Sequence, residues 1–311
     1  MVFPFARLPL ELALEVLYLA ASTGWSANDR SQSRIYHTAT SLCLVSSNFR
    51  QIAMRHLLHT VILNSHKNVV LFLRSLRQQN SYASKRSRLS IDYPRLIRHL
   101  WISECLPPLM DSPEDDFIDY RSFYHIISKV DTLGFNFDAL HLLYEALGDE
   151  HKAYLRRWDC RRVTLGINPP RWNGLVSTSS GAAFLREITH LTLWYPTYDG
   201  VSRFPCGQVP QWIASVPFKH MPNLTHFAFT LVSTSTSPST SVLVYKLPTS
   251  SSSLKKGATQ FLEWASSSDP FAFGFVFHLD INEPTTGSIP KEDWELAYYK
   301  GENDIWSAAS S

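Results

Sequence analysis

The sequence is poor in cysteine and glycine, and neither residue occurs in a pattern that carries chemistry. The four cysteines of the 311-residue chain are far apart and form no CxxC pair, which favours a reduced, intracellular protein over a disulfide framework or a zinc site. The twelve glycines form neither GxGxxG nor GxxxxGK[ST], and GxSxG and HExxH are absent. We therefore expect no enzyme activity, no cofactor and no bound metal. A hydrolase of unrecognised motif is the remaining enzymatic alternative.

An excess of charge and a long apolar run are missing as well. Lys and Arg number 29 against 27 for Asp and Glu, a formal net charge of +2, so neither nucleic acid nor a membrane is an expected partner. No run approaches the roughly twenty apolar residues that cross a bilayer. Glu11 and Glu15 interrupt the N-terminal apolar run, which argues against a signal peptide. The expected location is the cytoplasm or the nucleus.

Two amphipathic runs, 8–17 and 42–53, stand at the N-terminal end. Pro9 suits the start of a helix, and Glu11 lies where the helix dipole favours a carboxylate. Apolar residues at spacings of three and four then make two stripes on the first helix. One stripe contains Leu10, Ala13, Leu14 and Leu17, and the other contains Leu12, Val16 and Leu19. We expect one of the two stripes to pack on its own domain and the other to be left for a partner.

The second run repeats this design and leads into a strand. Its apolar residues are Leu42, Val45, Phe49, Ile52 and Ala53. The helix is predicted to continue past Leu57, and 61–63 is predicted to be the first strand. The two helices are too short to fold around a large core alone. They therefore need either the rest of the chain or another protein.

The residues of these two runs, in their order along the chain, resemble an F-box of the variety common in fungal proteins. The resemblance implies binding to the Skp-family adaptor of cullin–RING ubiquitin ligases, and through it to a cullin. It places Leu8, Pro9, Leu12, Val16, Leu42, Val45 and Phe49 at the adaptor-facing positions. The segment 22–40 would be an insertion or a loop within the box. The alternative is an N-terminal helical cap that binds no adaptor.

The rest of the chain repeats a strand pattern. It occurs at 96–102, 130–137, 160–167, 187–195 and 223–231, and in weaker form at 273–281. Successive strands lie 33, 30, 28 and 36 residues apart, and segments between them, such as 120–130 and 138–147, are predicted helices. His99, His190 and His226 occupy matching places, which indicates structural positions. A strand and a helix at this period predict stacked repeats, and the segments resemble degenerate leucine-rich repeats.

The predicted architecture is therefore α/β, with an F-box-like helical domain at 1–63 and an irregular leucine-rich-repeat-like solenoid at 64–311. Serine-rich loops are expected at 233–241 and 249–253, and helices at 254–267 and 290–306. An irregular α/β domain with a mainly parallel sheet is the alternative. The resemblance implies a non-catalytic substrate receptor that binds an unidentified target protein for ubiquitin-dependent degradation. A repeat scaffold without adaptor binding is the second hypothesis.

Overall fold

The fold is seen in a computed structural model, which describes residues 9–21, 37–105, 119–148, 158–166, 170–194, 211–233, 239–246 and 271–275. Three helices come first, and helices then alternate with the strands of one sheet. The predicted α/β class is confirmed.

The described ranges contain nine α-helices. They are α1 (Leu10–Ala21), α2 (His37–Val45), α3 (Ser47–His59), α4 (His66–Ser84), α5 (Tyr93–Leu96), α6 (Tyr120–Ile127), α7 (Leu140–Ala146), α8 (Trp172–Val176) and α9 (Ser179–Glu187). Short 3-10 helices lie at Phe137–Ala139, Gln211–Ser215 and Phe218–His220.

The described strands form a single eight-stranded sheet in chain order. They are β1 (Thr60–Leu63), β2 (His99–Ile102), β3 (Thr132–Asn136), β4 (Arg162–Gly166), β5 (His190–Trp194), β6 (His226–Ser233), β7 (Ser239–Lys246) and β8 (Phe271–Phe275). The first six strands are parallel, and β7 and β8 add antiparallel pairs at one edge. Each parallel strand therefore pairs with the next one along the chain.

One face of the sheet packs against the helices. Because successive side chains of a strand point to opposite faces, each parallel strand sends two apolar side chains to this side. They are Val61, Leu63, Leu100, Ile102, Leu133, Phe135, Val163, Leu165, Leu191, Leu193, Phe227 and Phe229. All are buried in one continuous core with residues of α4, α6, α7 and α9. Burial of this face fixes the register of the strands.

The opposite face, here called the second face, carries mixed chemistry. Its central row, one residue from each parallel strand in register, consists of Ile62, Trp101, Gly134, Thr164, Thr192 and Ala228. The row at the amino ends of β2–β6 consists of His99, Thr132, Arg162, His190 and His226, and we call it the histidine row. The register thus confirms that His99, His190 and His226 occupy matching places.

The helical boundaries differ from the prediction at two points near the N-terminus. α2 already begins at His37, inside the segment 22–40 that was predicted to be an insertion, whose residues 22–36 lie outside the described ranges. The single helix predicted over 42–58 is two helices, separated at Ser46. The Ser46 hydroxyl accepts a hydrogen bond from the Phe49 backbone N–H at 3.3 Å, so a new helix starts there.

Other boundaries shift along the sheet. The strand that was predicted to begin at residue 96 begins at His99. The residues before it form the short helix α5, because Pro94 lies near the first residue of that helix and favours a helix start. Residues 239–241 of the serine-rich segment 233–241 are the start of β7, while 234–238, 249–253 and the helices predicted at 254–267 and 290–306 fall outside the described ranges. β1, which the prediction placed in the N-terminal domain, is the first strand of the sheet.

Candidate docking surface

Helix α1 begins at a well-defined residue and buries few of its side chains. The Pro9 carbonyl accepts the first helical hydrogen bond from the Ala13 N–H at 3.0 Å, so Pro9 stands just before the helix. Glu11 lies in the first turn, where its charge is favourable. Along the helix, only Leu17 and Ala21 are fully buried among the side chains described.

Large apolar side chains of α1 face solvent instead. Leu12 is 53% exposed, Val16 is 41% exposed and Leu19 is 60% exposed. They are separated by four and three residues and so share one side of the helix. These residues form the second apolar stripe of the sequence, which is therefore exposed. A large apolar side that remains in water is typical of an interaction surface.

Leu14 and Tyr18, on a neighbouring side of α1, are also exposed. Leu14 belongs to the first apolar stripe of the sequence, and the structure does not bury it. Tyr18 contacts the His56 ring of α3 edge-on, with ring centroids 4.2 Å apart. Among the described large side chains of the first stripe only Leu17 is buried, so α1 packs on its neighbouring helices over a narrow contact.

The three helices meet at a core of three alanines. Ala21 of α1, Ala39 of α2 and Ala53 of α3 are each about 1% exposed and pack together. Leu42 and Leu57 border this core and are partly buried. Alanine leaves room for the helices to approach closely but buries little apolar area. These helices therefore keep most of their large apolar side chains outside their own core.

The end of α2 exposes a second apolar group. Leu44 is 88% exposed and Val45 is 63% exposed. Both precede Ser46, where the chain changes direction between α2 and α3. The break between the two helices turns these two side chains away from the alanine core. The sequence pattern was interpreted as one helix and so did not reveal this break.

The predicted adaptor-facing residues divide into three groups. Pro9, Leu12, Val16 and Val45 are exposed, Leu42 and Phe49 are partly buried, and Leu8 lies outside the described residues. Leu14, Tyr18 and Leu44 were not among the predicted residues. For Leu44 the available signal was the Val45-Ser46-Ser47 sequence, since serine favours a helix N-cap. We call the exposed residues Leu12, Leu14, Val16, Tyr18, Leu19, Leu44 and Val45 the N-terminal apolar residues.

Replacing Ser46 with alanine is expected to destabilise the protein by about 1 kcal/mol, because the Phe49 N–H loses its capping acceptor. Denaturant unfolding of the full chain measures this loss. Ser47→Ala is the matched control, since Ser47 is the exposed first residue of α3 and does not cap it. Equal losses in the two variants would contradict the capping role of Ser46.

The described ranges contain no group of three His, Cys, Asp or Glu side chains that could hold a metal ion. Burial raises the pKa of the Cys105 thiol to about 12, so this cysteine is a poor nucleophile.

Among the helices of the described ranges, none has the length and apolar character needed to cross a membrane.

The chain was compared with protein-family models, curated proteins and solved structures, and none of them matches it.

Proposed function

We propose that this chain is a substrate receptor of a Skp–cullin–F-box ubiquitin ligase, with its N-terminal helices on the adaptor and its sheet domain on a target protein. The observation that carries the proposal is the exposure of Leu12, Val16 and Val45, which the F-box resemblance assigns to the adaptor. The receptor would hold the target near the ubiquitin-charged enzyme and act by proximity alone. It would work in the cytoplasm or the nucleus.

The size of the apolar surface supports a protein partner. Seven large apolar side chains of two short helices remain exposed around a core of three alanines. Each would contribute on the order of 1.5–3 kcal/mol if a partner buried it fully. A docking partner therefore offers more apolar stabilisation than these helices gain from one another.

The order of the strands supports a second part of the proposal, namely that the sheet domain is leucine-rich-repeat-like. Each parallel strand pairs with its sequence neighbour, as stacked repeats require. Leucine-rich repeats place Asn or Cys three residues after the last apolar residue of the strand. Cys105 stands at this distance from Ile102, and Asn168 stands at this distance from Leu165.

The second candidate is a scaffold whose N-terminal helices cap the sheet domain without binding an adaptor. The contact of α3 with β1 and α5 favours it, because a cap must touch the first repeat. A cap alone, however, would bury Leu12, Val16 and Val45 within the chain, and all three are exposed. We therefore favour the receptor.

Co-purification of the full chain with a Skp-family adaptor tests the proposal. Changing Leu12 and Val16 together to glutamate is expected to weaken adaptor binding by about ten-fold or more, since ten-fold corresponds to only about 1.4 kcal/mol and an apolar interface excludes unpaired charge. The matched control changes Leu71 and Leu89 to glutamate, because these leucines are 50% and 42% exposed outside the N-terminal helices.

The control variant is expected to bind like the wild type. Adaptor binding that survives Leu12→Glu with Val16→Glu would refute the proposed docking surface. Absence of binding by the wild-type chain would favour the scaffold instead. Circular dichroism of each variant shows whether its helices are intact.

A further inference from the structure

The balanced charge of the whole chain conceals a local excess of cations. Residues 37–98 contain ten Lys and Arg residues but a single acidic residue, Asp92, so this segment has a net charge of +9. The remaining residues therefore carry a net charge of −7, since the whole chain carries +2. The segment forms α2–α5 and β1. The net charge of the whole chain favours no anionic partner, whereas that of this segment does.

Most of these cations are available to a partner. Nine of the ten are exposed, and within the described residues Arg98 alone among them forms an ion pair, with Asp131 at 2.8 Å. The single carboxylate of the segment, Asp92, accepts a hydrogen bond from the Arg95 N–H at 3.3 Å and so serves as a helix cap. The segment thus supplies almost no counter-charge of its own.

Helix α4 arranges part of this charge on one side. Lys67, Leu71, Arg74 and Gln78 are exposed and lie four, three and four residues apart, so they share the side of the helix that faces away from the core. Lys85 follows seven residues after Gln78 and ends the helix on the same side. From Lys67 to Lys85 the helix rises about 27 Å. We call these five residues the α4 stripe.

The stability of the helix does not explain where these cations lie. α4 has no Asp or Glu among its 19 residues, so its cations have no acidic partner along the helix. Lys67 stands in the first turn, where the helix dipole disfavours a positive charge. Arg86, just after the helix, has a φ of 50°, a left-handed conformation that favours glycine. Cations thus occupy positions at which other residues would stabilise the fold more, which points to a role in binding.

Two exposed leucines lie among the cations. Leu71 is 50% exposed and stands between two cations of the α4 stripe. Leu89 is 42% exposed and follows Arg88 in the loop after α4, where Arg86 and Arg88 are exposed as well. Cations with apolar side chains between them are typical of a protein surface that lies in the interface of a lipid bilayer. The cations meet the headgroups there, and the apolar side chains reach the acyl boundary.

We propose that α4 and the loop after it bind the surface of an anionic phospholipid bilayer, with Leu71 and Leu89 at the boundary between headgroups and acyl chains. Each cation close to such a surface strengthens binding by about five-fold, so several of them together hold the protein there reversibly. This goes beyond the proposed function, because it places the protein at a membrane surface independently of an adaptor.

A bilayer fits this surface better than a nucleic acid or an acidic protein does. The phosphates of a nucleic acid would pair with the cations, but they would leave Leu71 and Leu89 beside a charged backbone. An acidic protein would need carboxylates at fixed positions that match cations spread over about 27 Å. Anionic lipids diffuse within the bilayer and gather wherever the cations lie. The mixture of leucines and cations therefore favours the bilayer.

Flotation of the full chain with lipid vesicles tests the proposal. Vesicles of phosphatidylcholine and phosphatidylserine in a ratio of about three to one are expected to bind the chain about ten-fold or more tighter than vesicles of phosphatidylcholine alone. Changing Arg74, Lys85 and Arg88 together to glutamine is expected to weaken binding to the anionic vesicles by about ten-fold or more. Salt is expected to weaken binding of the wild type, because it screens exposed charges.

The matched control changes Arg171, Arg186 and Lys219 together to glutamine. These residues are exposed elsewhere on the sheet domain, so the control loses the same charge as the first triple variant. It is expected to bind the anionic vesicles like the wild type. Because all six replaced side chains are exposed, both triple variants are expected to fold.

The leucines are tested separately. Leu71→Glu with Leu89→Glu is expected to weaken binding to the anionic vesicles by about five-fold or more, since glutamate neither enters the acyl boundary nor tolerates anionic headgroups. The same variant is expected to bind the adaptor normally. Leu12→Glu with Val16→Glu is expected to show the reverse, with normal vesicle binding and weakened adaptor binding. Failure of the bilayer surface and failure of the adaptor surface are therefore separate results.

Several outcomes would overturn the proposal. They are equal binding to the two kinds of vesicle, equal losses in the two triple variants, and unchanged vesicle binding by Leu71→Glu with Leu89→Glu. A mixed-sequence DNA duplex or polyglutamate that binds the chain more tightly than the anionic vesicles do would indicate a different occupant and would also overturn it.

Discussion

Replacing Trp101 with alanine is expected to lower the free energy of unfolding by about 3–5 kcal/mol, the usual range for a large aromatic side chain in a core. Trp101 is fully buried in the central row of the second face. Its indole N–H donates a hydrogen bond to the Ser103 hydroxyl at 2.9 Å. The variant would lose this bond together with the packing of the ring, and a cavity would remain.

The position of the ring explains why neighbouring residues cannot fill the cavity. Trp101 extends from β2 across Gly134 of β3 to Gly166 of β4, where a Cβ atom would lie 3.4 Å from the ring. The Trp194 ring of β5 meets it with centroids 5.9 Å apart. Two glycines thus create the space in which two indoles from strands three positions apart can meet. Glycine has no side chain with which to fill that space when an indole is removed.

Urea unfolding of the wild type, Trp101→Ala, Trp194→Ala and the double variant measures the effect. A coupling energy of about 0.5 kcal/mol or more between the two tryptophans is expected, since their rings are in contact. Trp101→Phe is the conservative control and is expected to lose less than alanine does. A loss below about 1 kcal/mol in Trp101→Ala would contradict the structural role assigned to the ring.

The parallel strands were predictable from the sequence because their pattern is simple. In β2, β4 and β5 two apolar residues alternate with other types, for example Leu191 and Leu193 around Thr192, and burial of one face enforces that alternation. The matching places of the histidines followed from the same spacing. The helical spacing also placed Leu12 and Val16 on a second stripe of α1, whereas Val45 was assigned only by the F-box resemblance.

The helices α8 and α9 were missed because their sequence argues against a helix. This segment contains Gly174 and Gly181, which disfavour helices, and several serines. Tertiary packing overrides the propensity. A Cβ atom at Gly181 would lie 2.3 Å from the Leu175 carbonyl oxygen, so glycine is required where the two helices approach. Such a requirement is visible only once the packing partner is known.

The exposed position of Leu44 at the end of α2 was missed for a different reason. Leu44 and Val45 belong to an apolar pattern that continues through α3, and periodicity alone does not show where a helix stops. The stop depends on the Ser46 hydroxyl, a single hydrogen bond whose formation is decided by local geometry. Docking surfaces at such breaks are therefore harder to predict than surfaces along a continuous helix.

Acid is expected to destabilise this protein through the histidine row. In the unfolded chain a histidine has a pKa near 6.5, whereas burial lowers the pKa of His99 to about 4 and that of His190 to about 3. At a pH between the pKa of the folded state and that of the unfolded state, the unfolded state binds more protons than the folded state. The stabilising contribution is therefore complete above about pH 6.5 and is lost as the pH falls through the folded pKa.

The expected loss is about 1–2 kcal/mol for each of the two histidines between pH 6.5 and pH 4.5, since one pKa unit corresponds to about 1.4 kcal/mol and partial exposure reduces the effect. Denaturant unfolding at pH 7.0, 5.5 and 4.5 measures it. His190→Gln is expected to lose less stability over this interval than the wild type, because glutamine does not titrate. His37→Gln, in which the replaced residue is an exposed histidine of α2, is the control and is expected to follow the wild type.

If the free energy of unfolding depends on pH in the same way for the wild type and His190→Gln, the histidine row does not cause the acid sensitivity. The ion pairs of the fold, such as Arg98 with Asp131 and Arg161 with Glu187, are the same in both proteins. The difference between the two profiles therefore isolates the imidazole.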